Sequence, residues 1–334
     1  MKLLKLVPDV TNIAFLKHRN IAVGFSILTI IASVALVFVN GLNFGVDFVG
    51  GQQIRVVFEE LDEAPIPEVR EKIQALNLGE PNIQGFGQNE KNTIEIRMRL
   101  DEETGDDVQE ANSATVQVTN MIEREFAQQG ARIDGVDSVS GKVSGELLST
   151  GIYALVFALI AISIYIWLRF EWQFGVGALF ALFHDVVLTF GFFAFTQLEF
   201  NLNIIAALLT IIGYSLNDTI VIDDRIRENL RKYRKMEIAN LLDVSINETL
   251  ARTVSTSLTM VIALLALVLL GPDVIFGFSV AMLFGVIIGT YSSVYIASPV
   301  LIWLGVGPDS FIPAESDSEK EQNKLREGYD GAVP

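Results

Sequence analysis

Six stretches of roughly 20 residues, almost free of charge, run through this 334-residue chain, and they constrain its fold more than any other feature. A bilayer core about 30 Å thick is crossed by about 20 helical residues. Inside hydrocarbon, backbone N–H and C=O groups must bond within the segment, so an uncharged run of this length is a transmembrane helix. The runs are 21–39, 147–168, 174–198, 202–222, 253–270 and 274–304, the last with its end past Pro299 expected at the interface. Core helices of soluble proteins rarely run uninterrupted for so long. The first run is longer than a typical signal-peptide core and leads into Asn40-Gly41-Leu42-Asn43 rather than a small-residue cleavage site, so it is expected to stay as an anchor.

Orientation follows from charge. Lys2, Lys5, Lys17 and Arg19 precede the first run, Arg169 lies between the second and third, and Arg225, Arg227, Arg231, Lys232, Arg234, Lys235 and Arg252 fill the link between the fourth and fifth. Basic links face the cytoplasm. Residues 41–148 carry 21 Asp/Glu against 9 Lys/Arg, a balance suited to the opposite side. Both termini, 1–20 and 308–334, are therefore expected in the cytoplasm. A formal charge of −16 argues against a nucleic-acid partner. The chain has no cysteine and two histidines, which excludes a disulfide framework and makes a metal site a poor expectation.

Between the first two runs the pattern changes. Apolar alternation over 52–58, 82–86 and 93–99 predicts strands, helical spacing over 66–78 and 106–129 predicts helices, and 132–139 adds a last strand. This β-α-β-β-α-β order fits a ferredoxin-like α+β sandwich over 41–146. That fold carries no mechanism by itself. The tail after Pro308, rich in Glu, Ser, Lys and Asn, reads as disordered. In the link 223–252, Ile226, Leu230, Tyr233, Ile238, Leu241 and Leu242 recur at helical spacing. A basic amphipathic helix lying on the cytoplasmic bilayer surface is the favoured reading, and continuation of the fourth helix into water is the alternative.

Ionisable groups inside spans are costly and point to function. Asp218 lies four residues before the end of the fourth run, and Arg252 opens the fifth from the same side. An Asp218–Arg252 pair that protonation breaks is a proton-relay element. A static salt bridge, or an Arg252 that snorkels to headgroups, explains the same residues. His184 and Asp185 sit mid-run about 100° apart on a helix, so one of the two is expected to face the bundle interior. Asp185 is a candidate relay carboxylate, while His184 reads rather as a hydrogen-bonded interior residue. Gly277, Gly285 and Gly289 in the sixth run suit close helix approach. No catalytic or cofactor-binding motif is present, so no catalytic residue, cofactor or enzyme activity is expected.

Three motifs carry a resemblance. They are Gly41-Leu42-Asn43-Phe44-Gly45-Val46-Asp47-Phe48-Val49-Gly50-Gly51, then Phe183-His184-Asp185-Val186, then Gly213-Tyr214-Ser215-Leu216-Asn217-Asp218-Thr219-Ile220-Val221 leading into Asp224-Arg225-Ile226-Arg227-Glu228-Asn229. In their order and spacing, over nearly all of 10–305, the chain resembles the SecF members of the bacterial SecD/SecF protein-export family, part of the resistance-nodulation-division superfamily. The resemblance implies a multi-pass inner-membrane protein with a periplasmic domain after the first span. It also implies a SecD-like partner, the SecYEG channel and a translocating preprotein as associates, and use of the proton motive force. Asp218 then matches the family's intramembrane carboxylate and Arg252 its basic partner, which favours the relay over the static bridge. Asp223 and Val49 depart from the family pattern, which often has an aromatic residue and a threonine there. Asp47 reads as a turn cap between glycines. A small-molecule or lipid exporter of the same superfamily, and a scaffold without proton coupling, are the competing functions; a single inserted domain leaves little room for an exporter's substrate cavity.

Overall fold

A computed structural model describes residues 7–8, 11–76, 78, 81–85, 92–98, 108–307 and 310. The chain enters through a 3-10 turn at Phe15–His18 into α1 (Arg19–Asn40) and passes a short helix α2 (Val46–Val49). It then builds an inserted domain from β1 (Gly51–Phe58), α3 (Ile66–Gln74), β2 (Asn82–Gly85), β3 (Thr93–Met98), α4 (Val108–Glu125) and β4 (Ala131–Val139). It returns through α5 (Gly141–Arg169), α6 (Trp172–Thr196), α7 (Leu202–Lys232), α8 (Ile238–Leu270) and α9 (Phe276–Ser292), whose line continues through a π-helical turn, Ser293–Ala297, into α10 (Ser298–Trp303). Among the described residues six helices are long and apolar enough to span a membrane, one for each predicted run.

The domain's sheet has strand order β2-β3-β1-β4 with every neighbouring pair antiparallel. Together with the β-α-β-β-α-β chain order, this is compatible with the expected split-βαβ sandwich. Side chains alternate across a strand. Ile54, Val56 and Phe58 on β1 and Ile94, Ile96 and Met98 on β3 therefore point one way, onto Val69 and Ile73 of α3 and Val118 and Ile122 of α4. Gln53, Glu95 and Arg97 point the other way, yet they too are buried, because that face is laid against the end of the helical bundle. Phe86 and Arg99, predicted strand ends, fall outside the described residues, as does the acidic tail.

In the bundle α6, α7 and α9 form the buried centre, whereas α1 buries only Ser26 and Ser33 and exposes Ile21, Phe25, Leu28, Ile31 and Phe38. The expected close approach of the sixth run is present: Gly285 lies against Ile211, and Gly289 against Ser215, where an added Cβ would stand 3.0 Å from the serine Cβ. Pro299 sits at the second position of α10. A proline has no N–H for the carbonyl one turn back and its ring crowds that carbonyl. The wider π turn immediately before it accommodates both effects.

The favoured reading of 223–252 is corrected. There is no separate surface helix: α7 runs on through Lys232, the chain turns at residues 233–237, and α8 begins at Ile238. Ile226, Leu230, Leu241 and Leu242 pack with Leu16, Phe170, Phe174 and Val306, so their helical spacing marks the inner face of a helical hairpin rather than a lipid-facing one. Residues 11–16 strap across that hairpin, with the Leu16 N–H donating to Asp243 at 2.9 Å and the Ile13 N–H to Asn247 at 2.9 Å. The N-terminal segment, the α5–α6 link and the α7–α8 link thus share one end of the bundle; the inserted domain and the α6–α7 link share the other.

Candidate functional site

Two carboxylates lie deep among the helices. Asp185 on α6 is fully buried and accepts hydrogen bonds from Ser215 of α7 at 2.5 Å and Ser292 of α9 at 2.8 Å. Asp218 on α7 is buried and accepts from Thr253 of α8 at 2.7 Å and Ser293 at 3.0 Å. Ser292 and Ser293 are consecutive and stand where α9 gives way to the π turn. Adjacent helical side chains diverge by about 100°, so this one junction presents a hydroxyl to each carboxylate. The two acidic groups on different helices are thereby joined through a single dipeptide.

A buried carboxylate without partners is expensive, and one that is hydrogen-bonded is far less so. A hydroxyl suits a group that changes protonation, because it donates to a carboxylate and can turn to accept from a carboxylic acid. The cluster accordingly offers positions at which a proton can be held without leaving an unpaired polar atom.

Arg252 does not occupy the place expected for it. Its side chain is exposed, and among the described residues it forms no ion pair with Asp218, although it lies within electrostatic reach. The next residue, Thr253, points inward and takes the hydrogen bond instead. A short neutral hydroxyl satisfies the carboxylate while the long guanidinium extends to the surface, which is the cheaper arrangement for a free charge.

The expectation that only one of His184 and Asp185 faces inward is also corrected. Both are buried, and His184 Nδ1 lies 2.9 Å from Asp185 Oδ1. The side chains bend toward each other, which divergence of the Cα–Cβ bonds alone does not forbid. The other ring nitrogen, Nε2, is buried without a partner among the described residues, and the ring packs 6.0 Å from that of Tyr291. Tyr291 in turn donates to the Ala22 carbonyl of α1 at 2.8 Å.

The remaining motif residues divide between two places. At the domain end, Gly45 lies where a Cβ would run into the Glu199 carboxylate, and Gly50 and Gly51 adopt φ of 74° and 117°, values that favour glycine. Asp47, read as a cap of its own glycine-flanked turn, instead serves a distant element: its carboxylate accepts from the Leu202 N–H at 3.0 Å, at the start of α7. Val49 is exposed. On the bundle, Tyr214 donates to Ser257 at 3.3 Å, whereas Gly213 and Asn217 face outward, away from the carboxylates. Asp223 is buried, Asp224 stands 3.9 Å from Arg169, and Arg225 bridges Glu228 at 2.5 Å and Glu248 at 2.7 Å, tying α7 to α8.

Sequence reasoning missed Ser292, Ser293, Thr253 and the domain-end residues Glu95, Arg97 and Glu199. The Ser292-Ser293 pair inside an otherwise apolar run, and charged residues alternating with isoleucine along β3, were the available signals.

These features define a class: an α-helical multi-pass membrane protein with one small α+β domain inserted after the first span and hydrogen-bonded carboxylates inside the bundle. Comparison with known proteins makes it particular. Residues 118–307 match the C-terminal family model of the protein export membrane proteins SecD and SecF, and residues 35–60 match the SecD/SecF GG motif. The protein translocase subunit SecF of Rhodobacter capsulatus is 42% identical over 309 residues, covering 91% of this chain and 92% of the relative. That of Rickettsia felis is 42% identical over 299 residues, covering 89% and 94%. The crystal structure of SecDF from Thermus thermophilus, described as translocon-associated, superposes with a TM-score of 0.78 at 30% identity. This chain is 91% covered in that superposition and spans about 40% of the SecDF chain. The chain belongs to the SecF protein translocase subunits of the SecD/SecF family.

Proposed function

We propose that this chain couples proton movement through the helical bundle to a late step of protein export. It would act together with a SecD-like subunit and the SecYEG channel on a translocating preprotein. The observation that carries the reading is the pair of buried carboxylates, Asp185 and Asp218, each bonded to one of two consecutive serines at the π turn. A proton held at Asp218 and passed along this hydroxyl junction changes the charge between α7, α8 and α9 at once. A π turn is a natural point for the sixth helix to change register. Arg252 enters as a surface cation near Asp218 that would engage the carboxylate in another state of the bundle. Moving one charge across 100 mV supplies about 2.3 kcal/mol, enough to bias a two-state bundle, though several protons per cycle are needed to invert a strong preference.

The charge pattern supports an orientation with both termini and the α7–α8 hairpin in the cytoplasm and the acidic inserted domain in the periplasm, within the bacterial inner membrane. The protein's role is then mechanical rather than enzymatic. The test is export into vesicles holding this chain, its SecD-like partner and the channel. Asp218→Asn should abolish the stimulation that depends on the proton motive force while leaving basal export intact, and a fully stimulated Asp218→Asn complex would overturn the proposal.

A further inference from the structure

The seam between the inserted domain and the bundle is built around one shared cation. Arg97 on β3 donates through Nε to Glu95 of the same strand at 2.5 Å, through Nη2 to Glu199 of the α6–α7 link at 2.5 Å, and through Nη1 to Asn43 at 3.2 Å. Glu95 is fully buried, and its second oxygen has no hydrogen-bond partner among the described residues. Around this triad the segment after α1 is stitched to the same link: Asn43 donates to the Gln197 carbonyl at 2.9 Å, the Gly45 N–H to the Phe200 carbonyl at 2.9 Å, and the Phe200 N–H to the Asn43 carbonyl at 2.8 Å. Beside it lies a cavity of about 590 Å³ between sheet and helices, with Val46, Asp47, Arg55, Glu95, Asp137 and Glu199 in its wall.

Two carboxylates compete for a single guanidinium. The charged groups facing Glu199 are Glu95 and Arg97 from β3 and Asp47 from α2, with Arg55 of β1 and Asp137 of β4 across the cavity. With every acid ionised, the closed seam traps surplus negative charge away from water. A proton on Glu199 reduces it by one charge and leaves Arg97 matched to Glu95. We propose that Glu199 is a proton-sensitive clamp: its protonation holds the inserted domain closed on the bundle, and its ionisation loosens that seam.

Burial, followed by the repulsion of Glu95 and Asp47, raises the Glu199 carboxyl from its ordinary 4.5 to about 7, against the opposing pull of Arg97. The sign follows from linkage. A group whose pKa is higher in the closed seam binds its proton more tightly there, so falling pH favours closure. With the closed value about 7 and an ordinary value when open, opening becomes about tenfold more favourable between pH 6 and pH 8 and levels off above that. The clamp therefore responds from the domain side, at a site separate from Asp185 and Asp218, and does not depend on whether those residues relay protons.

The chain's lack of cysteine makes the test direct. Val46→Cys places one thiol in the buried cavity wall, and Glu71→Cys in a parallel sample gives an exposed reference that corrects for thiolate chemistry. In the full-length protein in lipid nanodiscs, the buried-to-exposed labelling ratio should rise about tenfold from pH 6 to pH 8. In Glu199→Gln, which mimics the protonated acid, it should stay at its pH 6 value throughout. A flat ratio in the parent protein, or a rise that persists in Glu199→Gln, overturns the proposal. An infrared carboxylic-acid band that disappears with a midpoint near pH 7, and is missing in Glu199→Gln, is expected independently of thiol chemistry; its absence from the parent protein would also refute it.

Discussion

Gly191→Ala is the sharpest test of how the first span is held. Gly191 on α6 is buried against Ser33 of α1, and a Cβ built there would stand 2.7 Å from the Ser33 Cα and closer still to its Cβ and Oγ. Carbon atoms rest about 3.5–4.0 Å apart, so the two helices must part by about 1 Å. Forced expansion of this size costs about 1–3 kcal/mol. α1 has little with which to absorb it, because Ser26 and Ser33 are its only buried side chains and Ser26 shares a 3.0 Å hydrogen bond with Tyr291. Lipid offers the exposed remainder of α1 as good a solvent as the bundle does, so packing at these small residues is what holds the helix. The population with α1 detached should rise roughly 5- to 150-fold, read as faster thiol labelling of a Ser26→Cys reporter in nanodiscs. Ser33→Gly in the same chain should reverse part of the effect by removing the clashing Cβ and Oγ while the 2.7 Å approach to the Cα remains, whereas Ser33→Ala should reverse little. Labelling unchanged by Gly191→Ala, or equal rescue by both Ser33 variants, would refute the argument.

Three further outcomes follow from the same geometry. Asp47→Ala removes the carboxylate that accepts from the first N–H of α7, leaving the Asn201 cap in place, and should lower stability by about 1 kcal/mol, measured as the melting temperature in detergent. Ser293→Ala removes one of the two hydroxyls on Asp218 and should destabilise the bundle by about 1–3 kcal/mol, in the range for a buried polar group deprived of a partner; an unchanged melting temperature would show that water replaces the hydroxyl. Overall stability against pH should carry the Glu199 signature: its contribution is intact below about 4.5, falls as pH rises towards 7 by at most about 3 kcal/mol, and is flat above, with Glu199→Gln removing this component.

Much of the architecture was legible because it rests on periodicity. Runs without charge give spans whatever surrounds them, and the alternation of Ile54, Val56 and Phe58 located β1 to within a residue. Tertiary choices were harder to read. Ile226, Leu230, Leu241 and Leu242 have the spacing of a surface-lying helix, and only their partners Leu16, Phe170 and Val306, distant in sequence, reveal a buried hairpin. Asp218 was found because a charge in a span is conspicuous. Thr253 was overlooked because a hydroxyl in a span is common, and the neighbouring Arg252 offered the more obvious partner. The π turn leaves no pattern of its own beyond Pro299. The seam at Glu199 depends on strand parity bringing Arg97 to the face of the sheet opposite its core and on the fold closing a five-residue link over it, neither of which is local.

Whether Asp218 holds the proton that couples the bundle to export is decided by proton flux. Proteoliposomes containing this chain with its SecD-like partner and the channel would be loaded with a pH-sensitive dye and given a proton gradient during preprotein transport. Inward acidification is expected in the parent complex, with its loss in Asp218→Asn while folding and complex assembly stay intact, and partial retention in Asp218→Glu. Undiminished proton flux through an assembled Asp218→Asn complex would contradict that role.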